Sequence, residues 1–468
     1  MSIDSTLRRK LEAILSPARV LTDPEDLIVY SYDGTWTENR PEAVVSALTS
    51  AEVSQVLALA NALKMPVVPR GAGSGLAGGS VPANGGIVLN LASMDRILVV
   101  DTANMVAVVQ PGVVNARLQA EVERRGLFYP PDPASFAQST IGGNVATSAS
   151  GPRCLKYGGT KDFVLGLEVV LASGEIIRTG GKMIKNVTGY NLTQLFVGSE
   201  GTLGVITEVT LRVIPLPKAS ATAMAVFPRL DDASLAVERI LAAGIIPLAL
   251  EMMDRGAVRC VEEYLHIGLP VDLEAVLLVE VDGEERVVSQ QVEQVAEICS
   301  GAGATQVKRT AEAAESDRLW RARRAVGPAL SRARPNKLGE DISVPRSAIP
   351  EMVRRIGLIA VRHELQIPLF GHIGDGNLHP NILCDLRDGE EMRRVKGAAE
   401  EIFAAAVELG GTLSGEHGIG LLKRDFLALD LSPAAIAVMK RIKSALDPHG
   451  ILNPGKVFPP ASLTEPRN

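Results

Sequence analysis

The sequence predicts an α+β chain of two domains, on three observations. Short apolar runs alternate with glycine clusters through the first half. The texture changes at the proline-bounded stretch "IPLPKAS" (214–220). Beyond it, longer strands and helices follow one another in a regular rhythm. At 468 residues the chain can bury more than one sizeable core.

Each element follows from hydrophobic period and from its end signals. Leu7, Leu11, Ile14 and Leu15 have helical spacing around Arg8, Arg9 and Lys10, which predicts an amphipathic first helix, with a surface anchor as the alternative. Residues 51–64 predict a helix, and 66–69, 86–91 and 105–112 predict strands. Residues 114–126 predict a helix closed by Gly126, 163–180 a hairpin, and 201–217 a strand region stopped by prolines. This is not a clean βαβ series. In the second domain, 221–227, 275–283 and 340–345 predict strands, and 230–243, 286–300 and 350–364 predict helices. The expected architecture there is an antiparallel sheet with helices on one face. The tail 444–460, rich in Pro and Gly, is expected to pack back on the first domain. The predicted boundaries are 1–217 (core about 38–217), 218–410 and 411–468.

Composition removes several function classes. Net charge is −6 with both signs interspersed, so there is no basic footprint for nucleic acid. No apolar run reaches membrane-spanning length, and the first residues lack a signal-peptide core. Cys154, Cys260, Cys299 and Cys384 are scattered with no C-x-x-C, which argues against an iron–sulfur cluster or a thiolate zinc site in this chain. The cysteine usage fits a reducing, cytoplasmic setting, with any membrane association made through a partner.

The densest glycine stretch is "PRGAGSGLAGGSVP" (69–82). Gly73, Gly75 and Gly78 satisfy G-x-G-x-x-G, but "GGSVPANGG" follows where a dinucleotide-binding fold needs a helix, so that fold is rejected. What remains is a loop whose backbone N–H groups can converge on an anion, or a plain surface loop. Two more glycine-rich segments, 130–159 and 196–207, tilt the reading toward a long ligand lying along backbone.

"GHIGDGNLHP" (371–380) places two of the six histidines around an Asp-Gly pair. If Asp375-Gly376 is a two-residue turn, counting outward sets His372 opposite His379, on one face, with Cβ atoms roughly 5 Å apart. Such a pair can reach one metal ion, although two bland hairpin histidines fit equally. In "TLSGEHGIG" (412–420), Glu416 and His417 sit between glycines. Extended chain would turn them to opposite faces, or the glycines could bend both inward. Two His plus one carboxylate is a common catalytic metal set.

Together these stretches, with "GSEGTLGVITEVTLRVIPLP" and "LDPHGILNPGK", resemble the flavin-dependent 2-hydroxyacid dehydrogenases of the vanillyl-alcohol-oxidase fold. The resemblance covers nearly the whole chain and leans toward the flavin subunit of bacterial glycolate oxidase and D-lactate dehydrogenase. It implies an FAD-binding domain of the vanillyl-alcohol-oxidase (PCMH) type plus an antiparallel-sheet, ferredoxin-like substrate (cap) domain. It implies FAD with its pyrophosphate on the loop Arg70, Gly71, Ala72, Gly73, Ser74 and Gly75. Pro131, Ser135, Ser139, Thr140, Gly142 and Gly143, with Asn144, Ile206 and Asn453, then fall along the cofactor. Position 74 is Ser and no histidine precedes His266, so the expected FAD is non-covalent.

The resemblance also assigns His372, His379 and Glu416 as ligands of a divalent metal. Zinc is expected because it is redox-inert, with iron and manganese left open. His417 is implied as the acid–base residue, Arg323 as the clamp for the substrate carboxylate, and Asn381 as a polar contact to substrate. Arg321 and Arg324 are expected on a solvated face. Where the 2-hydroxyglutarate relatives carry threonine four residues after the arginine, this chain has Gly327, which favours a small acid; Lys337 approximates a second cationic contact. The implied reaction is oxidation of a small D-2-hydroxy acid such as glycolate or D-lactate. Metal and base stabilise the alkoxide and hydride passes to flavin N5. With no iron–sulfur cysteines, an electron-acceptor protein or iron–sulfur partner subunits are implied, and a homodimer is left open. The rivals are a same-fold enzyme acting on a phenol or a larger diacid, a metal-dependent hydrolase, and a non-enzymatic electron-transfer subunit.

Overall fold

The computed structural model describes residues 3–460, so residues 1–2 and 461–468 of the predicted first and last segments lie outside it. The chain divides into two compact units. Among the described residues, the first comprises 3–150, 158–216 and 416–460, and the second 151–157 and 217–415.

In the first unit, strands Ala43–Ser46, Ile87–Asn90 and Val67–Arg70 pair in parallel, with Val20–Leu21 antiparallel at one edge. Parallel strands are covered on both faces, which is why their sequences are apolar runs rather than alternations. Val45, Val67, Ile87 and Leu89 join Leu7, Leu11 and Leu15 of the first helix and Val53, Val56 and Leu57 of helix Ser50–Leu63. Val44, Val68 and Val88 pack with Leu27. The first helix is thus an ordinary core helix. The open edge of Val67–Arg70 is covered by the C-terminal segment: the N–H of Val67 donates to the Ile451 carbonyl and that of Asn453 to the Val67 carbonyl, each at 2.8 Å. A second, antiparallel sheet runs Ile97–Asp101, Val106–Val109, Val205–Arg212, Val164–Val170, Ile176–Gly180.

The second unit carries an antiparallel sheet in the order Gln306–Thr310, Ala219–Phe227, Ala275–Gly283, Ala249–Asp254, Leu369–His372, Asn377–Cys384, Asn336–Gly339. Its first four strands have the chain order 4-1-3-2, the split arrangement of ferredoxin-like domains. Residues 151–157, expected in the first domain, belong here because Asp282 holds them. Its carboxylate accepts from the Tyr157 hydroxyl at 2.8 Å and is ion-paired to Lys156.

Three expectations are corrected. Helices cover both faces of this sheet, not one. Helices Leu230–Ala242 and Glu285–Gly301 pack on strands 219–227 and 275–283. Met224, Val226, Val276 and Leu278 cluster instead with Val258 and Val261 of helix Arg255–Leu265 and with Val326 and Leu330. The predicted strand 340–345 is only Ile342–Ser343. The histidine hairpin is shifted in register by two: His372 opposes Asn377, and Phe370 opposes His379. A two-residue turn of the expected type needs positive φ at both central positions, yet of the pair only Gly376 has it, at 92°. The chain makes a four-residue loop instead, with the N–H groups of Asp375 and Gly376 both on the His372 carbonyl. A slip of two keeps each side chain on its face, so the histidines stay neighbours, now on the diagonal.

Candidate active site

In the first unit, strand Val67–Arg70 runs directly into the glycine loop, which borders a cavity of about 410 Å³. The predicted Arg70, Gly71, Ala72, Gly73, Ser74 and Gly75 line it, as do Ser135, Ser139, Thr140, Gly142, Gly143, Asn144 and Ile206. Side chains are excluded where the loop folds tightly. A Cβ on Gly71 would sit 2.2 Å from Thr140 Oγ1, and one on Gly73, at φ 69°, 2.2 Å from the Arg70 guanidinium. Arg70 is buried and donates to the Tyr32 carbonyl at 2.7 Å, so it supports the loop from beneath. Helix Ile141–Thr147 starts at the groove, its first turn capped by the Thr140 hydroxyl, which accepts from the Gly143 N–H.

Pro131 and Asn453 do not line the cavity. The Pro131 carbonyl accepts from Asn115 and Gln119, at 3.2 and 3.1 Å. Asn453 donates to the carbonyls of Gly79 and Glu200, at 2.9 and 2.7 Å, behind the lining. The groove suits a long polar cofactor. Backbone and small hydroxyls form its walls, and two buried groups on it, Ser139 Oγ and Asn144 Nδ2, have no protein hydrogen-bond partner among the described residues.

Glu416 and His417 line the same groove, and His417 Nε2 lies 3.7 Å from Glu416 Oε1. Of the two geometries the sequence left open, the glycines bend both side chains to one side. The residue that arranges this is Glu200, which sequence reasoning missed. It is buried, and its carboxylate accepts the N–H groups of Ile419 and Gly420, both at 2.8 Å. Burial pushes its pKa up, against those two bonds and the charges of Lys456 and Lys423. Lys456, itself pushed down to about 8 by burial, donates to Asn453 Oδ1 at 3.0 Å. The signal for Glu200 was present: an acidic side chain between glycines in "GSEGTLG".

The second unit holds the remaining predicted residues. The rings of His372 and His379 are 5.2 Å apart, nearly perpendicular, and both are buried. His372 Nδ1 lies 2.5 Å from Oε1 of Glu251. Arg323, at the end of helix Ala313–Arg324, places Nε and Nη2 each 2.7 Å from Glu251 Oε2. Glu251 is 1% exposed. Burial alone would raise its pKa, but the facing His372 and Arg323 hold it below the ordinary value. The Phe370 ring lies under the Arg323 guanidinium at 4.5 Å.

Asp341, fully buried, accepts from Asn377 and Ser414, each at 2.6 Å, and lies 3.9 Å from His379 Nδ1. Asn381 is buried and donates to the His379 carbonyl at 2.8 Å. Arg321 and Arg324 are exposed. Lys337 is lowered in pKa by burial, and its Nζ is 3.4 Å from the Gly327 carbonyl. Neither Glu251 nor Asp341 was singled out from sequence. Glu251 is nonetheless a lone acid inside the apolar run "LALEMM", which is a sign of a paired buried charge. Two imidazoles beside buried carboxylates form a donor set suited to a borderline cation such as zinc.

A glycine-walled groove on a two-sheet α+β unit, in a chain whose second unit is ferredoxin-like, defines a flavin-dependent oxidoreductase. Residues 41–180 match the FAD binding domain, and residues 216–457 match the C-terminal domain of the FAD linked oxidases. The chain belongs to this FAD-linked oxidase family, and its cofactor is FAD. It is 45% identical to the glycolate oxidase subunit GlcD of Bacillus subtilis (strain 168), over 97% of each chain. It is 39% identical to the D-lactate dehydrogenase of Anaerostipes hadrus, over 95% of each. In structure it is similar to p-cresol methylhydroxylase, with a TM-score of 0.80 at 18% identity, covering 97% of this chain and 96% of that one. The fold is therefore the PCMH (vanillyl-alcohol-oxidase) type. Among the described residues no helix is long and apolar enough to cross a membrane.

Proposed function

We propose that the chain oxidises a small D-2-hydroxy acid, glycolate or D-lactate, to the 2-oxo acid. The observation that carries the reading is the buried grouping of Arg323, His372 and His379 in the second unit, one carboxylate fork beside two imidazoles. The names of the relatives, a glycolate oxidase subunit and a D-lactate dehydrogenase, support the same substrate class.

When bound, FAD supplies the two-electron acceptor, and a divalent ion, expected to be zinc, supplies a Lewis acid for the substrate hydroxyl. Arg323 pairs with the substrate carboxylate and fixes Cα. His372, His379 and Glu416 are assigned as ligands of the ion, on their residue chemistry and motifs. Neutral His417 takes the hydroxyl proton. The groove walls hold the cofactor without a covalent tether. The electrons leave to an external acceptor or a partner subunit, since the four cysteines are scattered.

The test is anaerobic bleaching of the bound flavin by a panel of D- and L-2-hydroxy acids, before and after a chelator. Bleaching by glycolate or D-lactate, slowed by chelation, is expected. No bleaching by any acid would overturn the substrate class, and a rate indifferent to chelation would overturn the metal. One feature supports a second reading. Lys337, half-buried beside Gly327, could take the second carboxylate of a larger diacid, so the panel includes D-2-hydroxyglutarate.

A further inference from the structure

We propose that Glu251 is a positioning residue, a single buried anion that orients the ion-binding imidazole of His372 and the substrate clamp Arg323 at once. The inference rests on the roles assigned to those two side chains above.

The placement begins in the sheet. Strands Ala249–Asp254 and Leu369–His372 are antiparallel neighbours with Met252 opposite Gly371. Extending that register by one residue sets Glu251 opposite His372. The two carboxylate oxygens are divided between two partners: Oε1 lies 2.5 Å from His372 Nδ1, and Oε2 takes Nε and Nη2 of Arg323, each at 2.7 Å.

Each contact removes a freedom. A carboxylate held by a guanidinium only accepts, so the His372 ring must carry its proton on Nδ1, which makes Nε2 the coordinating nitrogen. For Arg323, the Nε/Nη2 edge belongs to Glu251 and one face lies against Phe370 at 4.5 Å from its ring centre. The Nη1 side is left as the direction in which a substrate carboxylate can be met. Among the described residues the side-chain hydrogen bonds of Arg323 go to Glu251 alone. Glutamine cannot replace this carboxylate. Its amide has one acceptor and one donor, so whichever way it turns, either His372 or Arg323 faces an N–H.

The experiment uses the FAD-loaded full chain and the variants Glu251→Gln and Glu251→Asp. Gln tests the loss of the second acceptor. Asp keeps the negative charge that Arg323 needs in the core, but its shorter arm cannot span both partners. Zinc Kd is measured by competition with a chromophoric chelator, and KM and kcat for glycolate are measured at saturating zinc. Flavin content is expected to stay at the wild-type level, zinc Kd to rise ten- to a hundredfold, and KM to rise at least tenfold with kcat changing less. Zinc Kd and KM both within threefold of wild type would overturn the proposal. A rise in only one of them would assign Glu251 to that partner alone and overturn the shared role. His372→Ala separates this inference from the reading beneath it. An unchanged zinc Kd in that variant overturns the ion site itself. Loss of zinc there, with wild-type values in both Glu251 variants, overturns only the role of Glu251.

Discussion

Replacing Glu200 with glutamine would expose how the segment bearing Glu416 and His417 is held at the groove. In the native chain the Glu200 carboxylate accepts two backbone N–H groups, from Ile419 and Gly420, each at 2.8 Å. Hydrogen bonds to a charged group contribute about 1.5–3 kcal/mol each. Glutamine keeps the shape but presents one oxygen and one NH2. One backbone N–H keeps a weaker, neutral acceptor, and the other faces a donor, at a cost of about 1–3 kcal/mol. Part of this is offset because the buried charge, whose burial raises the Glu200 pKa, is gone. The net is roughly 2 kcal/mol, or about 30-fold in the local opening equilibrium. Hydrogen exchange on peptides spanning 416–422 should therefore accelerate about 30-fold, while helix Ser50–Leu63 exchanges as before. Glu208→Gln, at a surface ion pair with Arg178, is the control. Exchange of the 416–422 peptides within threefold of wild type would refute this account of the segment.

Three other perturbations follow from the same geometry. Asp254 caps helix Arg255–Leu265 by accepting from the Ala257 N–H at 2.8 Å, and burial raises its carboxyl to about 6. With the folded pKa above the unfolded value near 3.9, the native state binds the extra proton between about pH 4 and 6. The stability contribution is full below about pH 4 and is lost as pH rises through about 6, up to about 3 kcal/mol. Asp254→Asn keeps a good cap and should gain on wild type in urea midpoint as pH goes from 4 to 7; a pH-independent difference would contradict this. His417→Ala should retain flavin absorbance and zinc while dye reduction by glycolate falls by about 10²–10⁴, and wild-type turnover would remove His417 from proton transfer. Arg323→Lys keeps a charge without the fork and should lower kcat/KM by about 10–150-fold, the loss of one charged hydrogen-bond pair, with most of the change in KM.

Much of the architecture was legible because local signals and tertiary packing agree. Helix 50–63 and strands 67–70, 87–90 and 106–109 show plain apolar periodicity or runs, and each lands in a core. The glycine loop was legible for a different reason. Only glycine tolerates the approach of Thr140 to position 71 and the positive φ at 73, so the chemistry of the groove is written in residue identity. Strand Ala249–Asp254 was not assigned, since a short apolar run with one acid in it has no distinct period; helix Arg255–Leu265 was missed although Ala257, Val258 and Val261 share its buried face.

Residue types and their short spacings determined the class of site: glycines beside small hydroxyls, histidines around a turn, an arginine on a helix. They could not determine which partner each side chain faces. The register of 369–372 against 377–384 depended on whether the chain would adopt positive φ at Asp375, and the tertiary structure chose a four-residue loop instead. Glu251 and Arg323 are 72 residues apart, and Glu200 and Gly420 are 220 apart. No local rule pairs residues so distant. They meet because a buried carboxylate requires donors, and only the packed sheet and loop bring those donors within reach.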